Sequence, residues 1–146
     1  MRAVVQRVRE AHVTSEGQPV GRIGPGLCVL VGVTHSDTPE VAAKMAAKIW
    51  HLRVMPDDAG VMNRSVAETT REVMVVSQFT LYGDTSRGRR PGWAAAAPPE
   101  TAEPLVDAVV AELRALGATV ATGRFRTHME VALVNDGPVT LVLDVP

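Results

Sequence analysis

The apolar positions of this 146-residue chain change their spacing along its length, and the changes mark out its elements. Over residues 3–13, Val4, Val8 and Val13 alternate loosely with polar residues. Glu16-Gly17 then turns the chain into "QPVGRIG", which predicts an N-terminal β-hairpin. "GPG" at 24–26 is a second turn. "LCVLVGV" at 27–33 is an unbroken apolar run, the pattern of a central strand buried on both faces. The period then lengthens. Val41, Met45, Ile49 and Leu52 recur at helical spacing, behind Asp37 or Thr38 as N-cap, Pro39 at the first helical position and Glu40 in the first turn. "RVM" at 53–55 starts a strand that "PDDAG" ends, and "REVMVVSQFTLY" at 71–82 reads as another strand. Residues 83–98 show no period, a long irregular stretch of the kind that often carries function. Leu105, Val109, Leu113 and Leu116 put a second helix over about 100–116, closed by Gly117. Three strands near 118–123, 129–134 and 139–145 end the chain. The last two meet at Asn135-Asp136-Gly137-Pro138, which reads as a hairpin turn with a proline where the second strand should begin donating N–H groups.

The predicted order is β-β-β-α-β-β-α-β-β-β, an α/β fold with a mixed, barrel-like β-sheet in a three-layer α/β/β arrangement with two helices. Helices lying between strands require crossovers and hence some parallel pairs; the hairpins at both ends are antiparallel. Residues 1–146 read as a single domain, since no repeat, linker or low-complexity tail interrupts them. An apolar fraction of 46% against 21% charged residues marks a folded, globular chain.

Charge and cysteine usage narrow the setting. With a formal net charge of −1, the chain has no global attraction to polyanions, so any such partner must be held by a local basic patch. The single cysteine, Cys28, lies in an apolar strand. It permits no internal disulfide and suits a reducing, cytoplasmic environment. The start, "MRAVVQRVRE", lacks the apolar centre of a signal peptide, and no apolar run approaches the ~20 residues of a membrane span.

The residues exclude several chemistries. His12, His35, His51 and His128 are scattered without metal-ligand spacing, so no metal and no cofactor is expected. "GRIGPG" is followed by a strand instead of a helix and is no dinucleotide fingerprint, and no G-x-S-x-G elbow exists. Two polar features remain. The first is "SQFTLY" at 77–82, where strand alternation would put Ser77, Phe79 and Leu81 on one face and Gln78, Thr80 and Tyr82 on the other. Polar residues at the end of a buried strand either line a site or mark its emergence into solvent. Thr80 is a conceivable nucleophile, but no histidine or lysine lies near it in sequence to activate it. The second is "SRGRRPG" at 86–92, whose Arg87, Arg89 and Arg90 suit phosphate oxygens but equally fit a solvated loop.

"SQFTLYGDTSRGRRP" together with "VNDGPVT" closely resembles the two signature motifs of the D-aminoacyl-tRNA deacylases, and "MRAVVQRV", "GPGLCVLVGVTH" and "MNRSV" resemble that family in order and spacing. The resemblance implies hydrolysis of the ester joining a D-amino acid, or mischarged glycine, to the terminal adenosine of tRNA. It also implies a homodimer with active sites at the subunit interface. Ser77, Gln78, Phe79 and Thr80 would then form one catalytic wall, largely through main-chain groups, with the substrate's own 2′-hydroxyl assisting and no essential side-chain nucleophile. Met129 and Asn135 would bind substrate, and Arg87, Arg89 and Arg90 would bind tRNA. Gly137-Pro138, held cis and reaching in from the partner subunit, would reject L-aminoacyl groups. The chain departs from the family pattern after Phe125, where Arg126-Thr127 replaces the usual Gly-Ala, and the loop "GWAAAAP" is looser than usual.

Overall fold

A computed structural model describes residues 1–146. Its elements are β1 (Arg2–Ser15), β2 (Gln18–Ile23), β3 (Gly26–Gly32), α1 (Pro39–Trp50), β4 (Met55–Pro56), β5 (Met62–Arg64), β6 (Glu72–Ser77), α2 (Pro99–Ala115), β7 (Val120–Thr122) and β8 (Met129–Asp144). The main sheet runs β2-β1-β3-β6-β7, with β8 on the other edge of β1, and β4 and β5 make a separate two-stranded sheet. The pairs β3–β6 and β6–β7 are parallel, and every pair made by β1 is antiparallel. The mixed sheet and the two helices agree with the sequence pattern. The strand order differs twice: Met62–Arg64 adds a third strand between the helices, and the two strands expected around residues 129–145 are one.

Three layers arise because the sheet buries both faces. Leu27, Val29 and Val31 of β3 and Val73 and Val75 of β6 point into the main core. There they meet Val41, Met45 and Ile49 of α1 and Leu105, Val109 and Leu113 of α2. Their neighbours Cys28, Met74 and Val76 point to the opposite face, into a second, smaller core with Val8, Ala11, Val13 and Ile23. This two-sided burial explains the unbroken apolar run of β3. β1 serves both cores in turn: Ala3 and Val5 face the main core, Val8, Ala11 and Val13 the second. The strand changes phase where its pairing with β8 slips, between Gln6 and Glu10. Such irregularities bend a strand and increase its twist. The far half of β1, with β2 and the start of β8, thereby folds over the second face. β2 then comes up against β7 and nearly closes the sheet: a Cβ added to Gly21 would fall 2.4 Å from the Thr122 carbonyl oxygen.

Both helices end as their sequences dictate. Thr38 is the N-cap of α1, its hydroxyl accepting the Val41 N–H at 3.4 Å, while Pro39 occupies the first turn. Asp37 instead accepts the Thr34 N–H at 2.8 Å. α2 closes on Gly117 at φ +109. Gly117 N–H donates to Arg114 O at 3.0 Å and Ala118 N–H to Leu113 O at 2.9 Å, a Schellman motif. Leu116, expected on the buried stripe, is the exposed cap residue.

Two sequence expectations are overturned. The strand expected over 71–82 stops at Ser77, and Phe79–Tyr82 is a 3₁₀ turn. The cause is the length of its partner: β3 ends at Gly32, and Gln78 N–H makes the last bond, to Val31 O, at 2.7 Å. The turn then packs across Gly32, where a Cβ would lie 3.0 Å from Leu81 Cβ. The second is the turn at Asn135–Pro138, which is no hairpin. β8 runs on through it, pairing with β1 on both sides, and the slip leaves residues 136–139 bulging opposite Arg7, between the pairs Val8↔Asn135 and Gln6↔Thr140. Pro138 has no N–H to give, and within a bulge none is required. The Gly137-Pro138 peptide bond is cis.

The parallel seam between β3 and β6 tolerates no side chain at Gly26, where a Cβ would stand 1.8 Å from the Glu72 carbonyl oxygen. Gly26→Ala is expected to destabilise the fold by about 3 kcal/mol or more, because backbone must move to admit it. A denaturant-unfolding midpoint unchanged from wild type would contradict this.

Candidate active site

The stop in β6 creates a cavity. Beyond Ser77 the chain swings aside, and a pocket of about 610 Å³ opens between this point, the start of α2 and the turn that leads into β8. Ser77, Gln78 and Phe79 line it together with Phe125, Arg126 and Met129, and Val33, Ala97 and Ala102 add apolar surface. Its volume lies in the range of small-molecule sites. Of the residues expected at the site, Ser77, Gln78, Phe79 and Met129 are therefore brought together, while Thr80 stands just outside.

The wall at residues 77–80 offers main-chain donors. Gln78 N–H is used by Val31 O, and Leu81 and Gly83 N–H are used inside the turn, at 3.2 and 3.0 Å. The N–H groups of Phe79 and Thr80 make no backbone hydrogen bond, as befits the first residues of a helical turn. Gln78 Nε2 donates to Thr80 Oγ1, which ties up the hydroxyl as an acceptor. Ser77 and His128 both border the cavity, but no hydrogen bond joins them. Cys28 lies in the second core, where burial pushes its thiol up to about 11, so it presents no thiolate.

The irregular stretch 83–98 forms the rim. Asp84 and Gly92 exchange both backbone hydrogen bonds at 2.8 Å, closing a small ring from which Arg87, Arg89 and Arg90 project, exposed and without ion pairs. The Asp84 carboxyl accepts Ser86 N–H at 2.9 Å. Hydrogen bonds from the Ser86 side chain and backbone hold it below the usual carboxylate range. Trp93, which borders the cavity, meets Phe79 edge-on with ring centroids 5.2 Å apart. The chain is then anchored by Thr34 Oγ1, which donates to Ala95 O at 2.6 Å, and by Ala97 N–H, which donates to Val33 O at 2.9 Å.

The bulge stands apart from this cavity. Val131 borders the pocket, whereas Gly137, six residues further along the same strand, does not. Asn135, Gly137 and Pro138 are exposed. The base of the bulge is locked by side chains. Asn135 Nδ2 donates to Arg7 O at 2.9 Å and to Val139 O at 3.1 Å. Arg7 Nε donates to Asp136 O at 3.0 Å and lies 3.2 Å from the Asp136 carboxylate, while its Nη1 donates to Val54 O at 2.7 Å. Sequence pattern did not single out Arg7, one of several charged residues in an alternating strand; its lone place opposite four looped-out residues is visible only in the pairing.

The whole chain matches proteins of known activity, and these matches identify it as a hydrolase. The family described as D-Tyr-tRNA(Tyr) deacylase matches residues 4–144. A D-aminoacyl-tRNA deacylase of Streptomyces coelicolor is 58% identical over 146 residues, covering 99% of this chain and 100% of its own. One of Acidothermus cellulolyticus is 60% identical over 146 residues, covering 99% of each. Among solved structures, the c-Myc DNA Unwinding Element Binding Protein superposes with a TM-score of 0.94 at 39% identity, over 100% of this chain and 99% of that one. A probable eukaryotic D-amino acid tRNA deacylase shares the fold, with a TM-score of 0.84 at 17% identity over 99% and 98% of the chains. The chain belongs to the D-Tyr-tRNA(Tyr) deacylase family, and as an enzyme it is a D-aminoacyl-tRNA deacylase.

Replacing Arg7 with alanine leaves Asp136 O and Val54 O without their guanidinium donor. Arg7→Ala is expected to cost about 1–3 kcal/mol of stability. It should also loosen residues 136–139, read as faster amide exchange at Val139; unchanged exchange there would remove Arg7 as the clamp of the bulge.

Proposed function

We propose that the enzyme hydrolyses the ester linking a D-amino acid to the 3′ adenosine of tRNA, releases the free D-amino acid and the tRNA, and rejects L-aminoacyl groups. The observation that carries this reading is the cavity itself: an apolar pocket beside two unused main-chain donors, with no nucleophile–base pair. An aminoacyl ester is already activated, so positioning and stabilisation of the developing oxyanion suffice. The terminal adenosine enters the apolar pocket against Phe79, Phe125 and Met129. The N–H groups of Phe79 and Thr80 face the ester oxygen, and the substrate's 2′-hydroxyl assists the attack of water.

Selection by chirality falls to Gly137-Pro138 of a second subunit. L- and D-aminoacyl groups differ in where the side chain leaves Cα, and a rigid backbone wall on one side of that atom rejects one hand whatever the side chain's size. Gly137 has no Cβ, which lets the backbone approach the substrate. A glycyl ester has nothing for the wall to strike and is hydrolysed too. Three features support a homodimer with shared sites: the absence of the bulge residues from the lining of the cavity in one chain, the open outer edge of β8, and the exposed Val134, Leu141 and Val142 on that strand. The exposed arginines 87, 89 and 90 follow the tRNA backbone. The setting is the cytoplasm, where charged tRNA is found; no helix of the chain is long and apolar enough to cross a membrane.

Subunit mixing tests the shared site. Ala96→Trp fills the cavity, and Gly137→Val disturbs the bulge, since a Cβ there would lie 2.8 Å from Asn135 Oδ1. Each variant alone should be inactive on D-aminoacyl-tRNA. Re-assorted together they should recover about a quarter of wild-type activity, because half the dimers are mixed and each holds one intact site. No recovery would mean that the cavity is not completed by the partner's bulge.

The arginine loop makes a second prediction. Neutralising Arg87, Arg89 and Arg90 together should raise KM for tRNA substrates. It should also flatten the dependence of log(kcat/KM) on log salt, by up to about 0.9 for each phosphate no longer neutralised. An unaltered salt slope would take the loop out of the tRNA interface.

A further inference from the structure

Arg126 is the one permanent cation bordering the cavity, and no aspartate or glutamate borders it. Its side chain is exposed and makes no ion pair with any carboxylate of the chain. Folding does not account for it. The backbone there sits at φ +57, a conformation in which glycine is at ease and a long L side chain is uncommon. The turn that carries it is nonetheless held firmly. Thr127 Oγ1 donates to Arg124 O at 2.9 Å, and the buried Ser15 hydroxyl lies 2.7 Å from Thr127 Oγ1 and 3.1 Å from His128 O. An arginine kept at a conformationally costly position, unpaired, on the edge of an apolar pocket is suited to an anion supplied by the ligand.

We propose that Arg126 binds the phosphodiester on the 5′ side of the terminal nucleoside, and so selects substrates that continue into a polynucleotide over a free aminoacyl nucleoside. The proposal rests on the deacylase reading above. A nucleoside in the apolar pocket must send its 5′-phosphate out past the rim, and a guanidinium fork matches phosphate oxygens in two-point geometry. Trp93, three residues beyond Arg90, also borders the pocket, so the arginine loop begins at the same cavity that Arg126 borders. An acidic aminoacyl side chain is the other anion that could reach Arg126, and the test separates the two.

The test compares 3′-(D-alanylamino)-3′-deoxyadenosine, which has no phosphate, with the same amide at the 3′ end of a cytidylyl-adenosine dinucleotide, which has one. The D-aspartyl amide of the nucleoside is the third probe. These amides resist hydrolysis, so calorimetric binding reports on Arg126 independently of turnover, while the matching esters report on deacylation. Wild type should bind the dinucleotide more tightly than the nucleoside. Arg126→Gly, which suits the positive φ and should fold at least as well, should reduce that preference about tenfold or more, and Arg126→Lys should keep part of it. Added salt should weaken dinucleotide binding less in the glycine variant than in wild type, since the screened charge pair is gone. An unchanged preference in Arg126→Gly overturns the proposal, as does a loss confined to the D-aspartyl probe. Esters left intact by wild type would instead defeat the deacylase reading, with the amide affinities still deciding the role of Arg126.

Discussion

The pairing of β1 with β8 along the length of both strands is the constraint on which the rest of the molecule depends. β1 is paired on both edges along most of its fourteen residues: β8 on one side, β3 and then β2 on the other. Because its two halves serve different cores, it joins the helix-covered layer to the layer folded over the opposite face. That change of face requires an irregularity in the ladder, and the irregularity is where Arg7 and the bulge of β8 meet. The architecture of the sheet and the position of the exposed glycine–proline pair thus have one physical origin.

The cavity has a different origin, in the common end of two parallel strands. The pairing of β6 with β3 stops at Ser77 opposite Val31, Gln78 N–H makes the last bond, and the chain leaves the sheet with its next amides unpaired. Backbone donors fixed by a sheet on one side and a tight turn on the other are already oriented, which is what stabilisation of a developing charge requires. A side-chain nucleophile would have to be held by packing around it, and the apolar lining here offers little with which to orient one.

Much of the fold was legible because it is periodic. The switch from period two to helical spacing marked α1 and α2, and Thr38, Pro39 and Gly117 marked their ends. The unbroken run of β3 announced burial on both faces. Two features stayed hidden because they depend on partners distant in sequence. Nothing within "VMVVSQFTLY" says where its pairing with β3 stops, so the pattern alone carries the strand past Ser77. Nothing within "VNDGPVT" says that the strand after the proline returns to the same partner, so a bulge was read as a hairpin. At the site, Ser77, Gln78, Phe79 and Met129 were marked by their resemblance to a family motif, and the cavity brings them together. Arg7 was missed for want of a local signal, whereas Arg126 was noted only as a departure, and its left-handed backbone is what gives that departure a meaning.

The bulge also bears on how such a chain can change over evolutionary time. From Arg2 to Ser15 β1 takes thirteen steps, while β8 takes fifteen between their partners Met129 and Asp144. The net excess of two has two parts: residues 136–139 stand against Arg7 alone, three in excess, and β1 gives one back between Val8 and Glu10, so the odd excess at the bulge turns β8 from the second core, where Val131 and Leu133 pack, to the main core of Val139 and Leu143. An insertion or deletion of a residue pair at this point leaves the inside and outside of the strand unaltered, whereas a change of one residue would turn the strand's apolar positions outward. The length of the chain at the bulge is thereby free to vary only in pairs if the sheet around it is to keep its inside and outside.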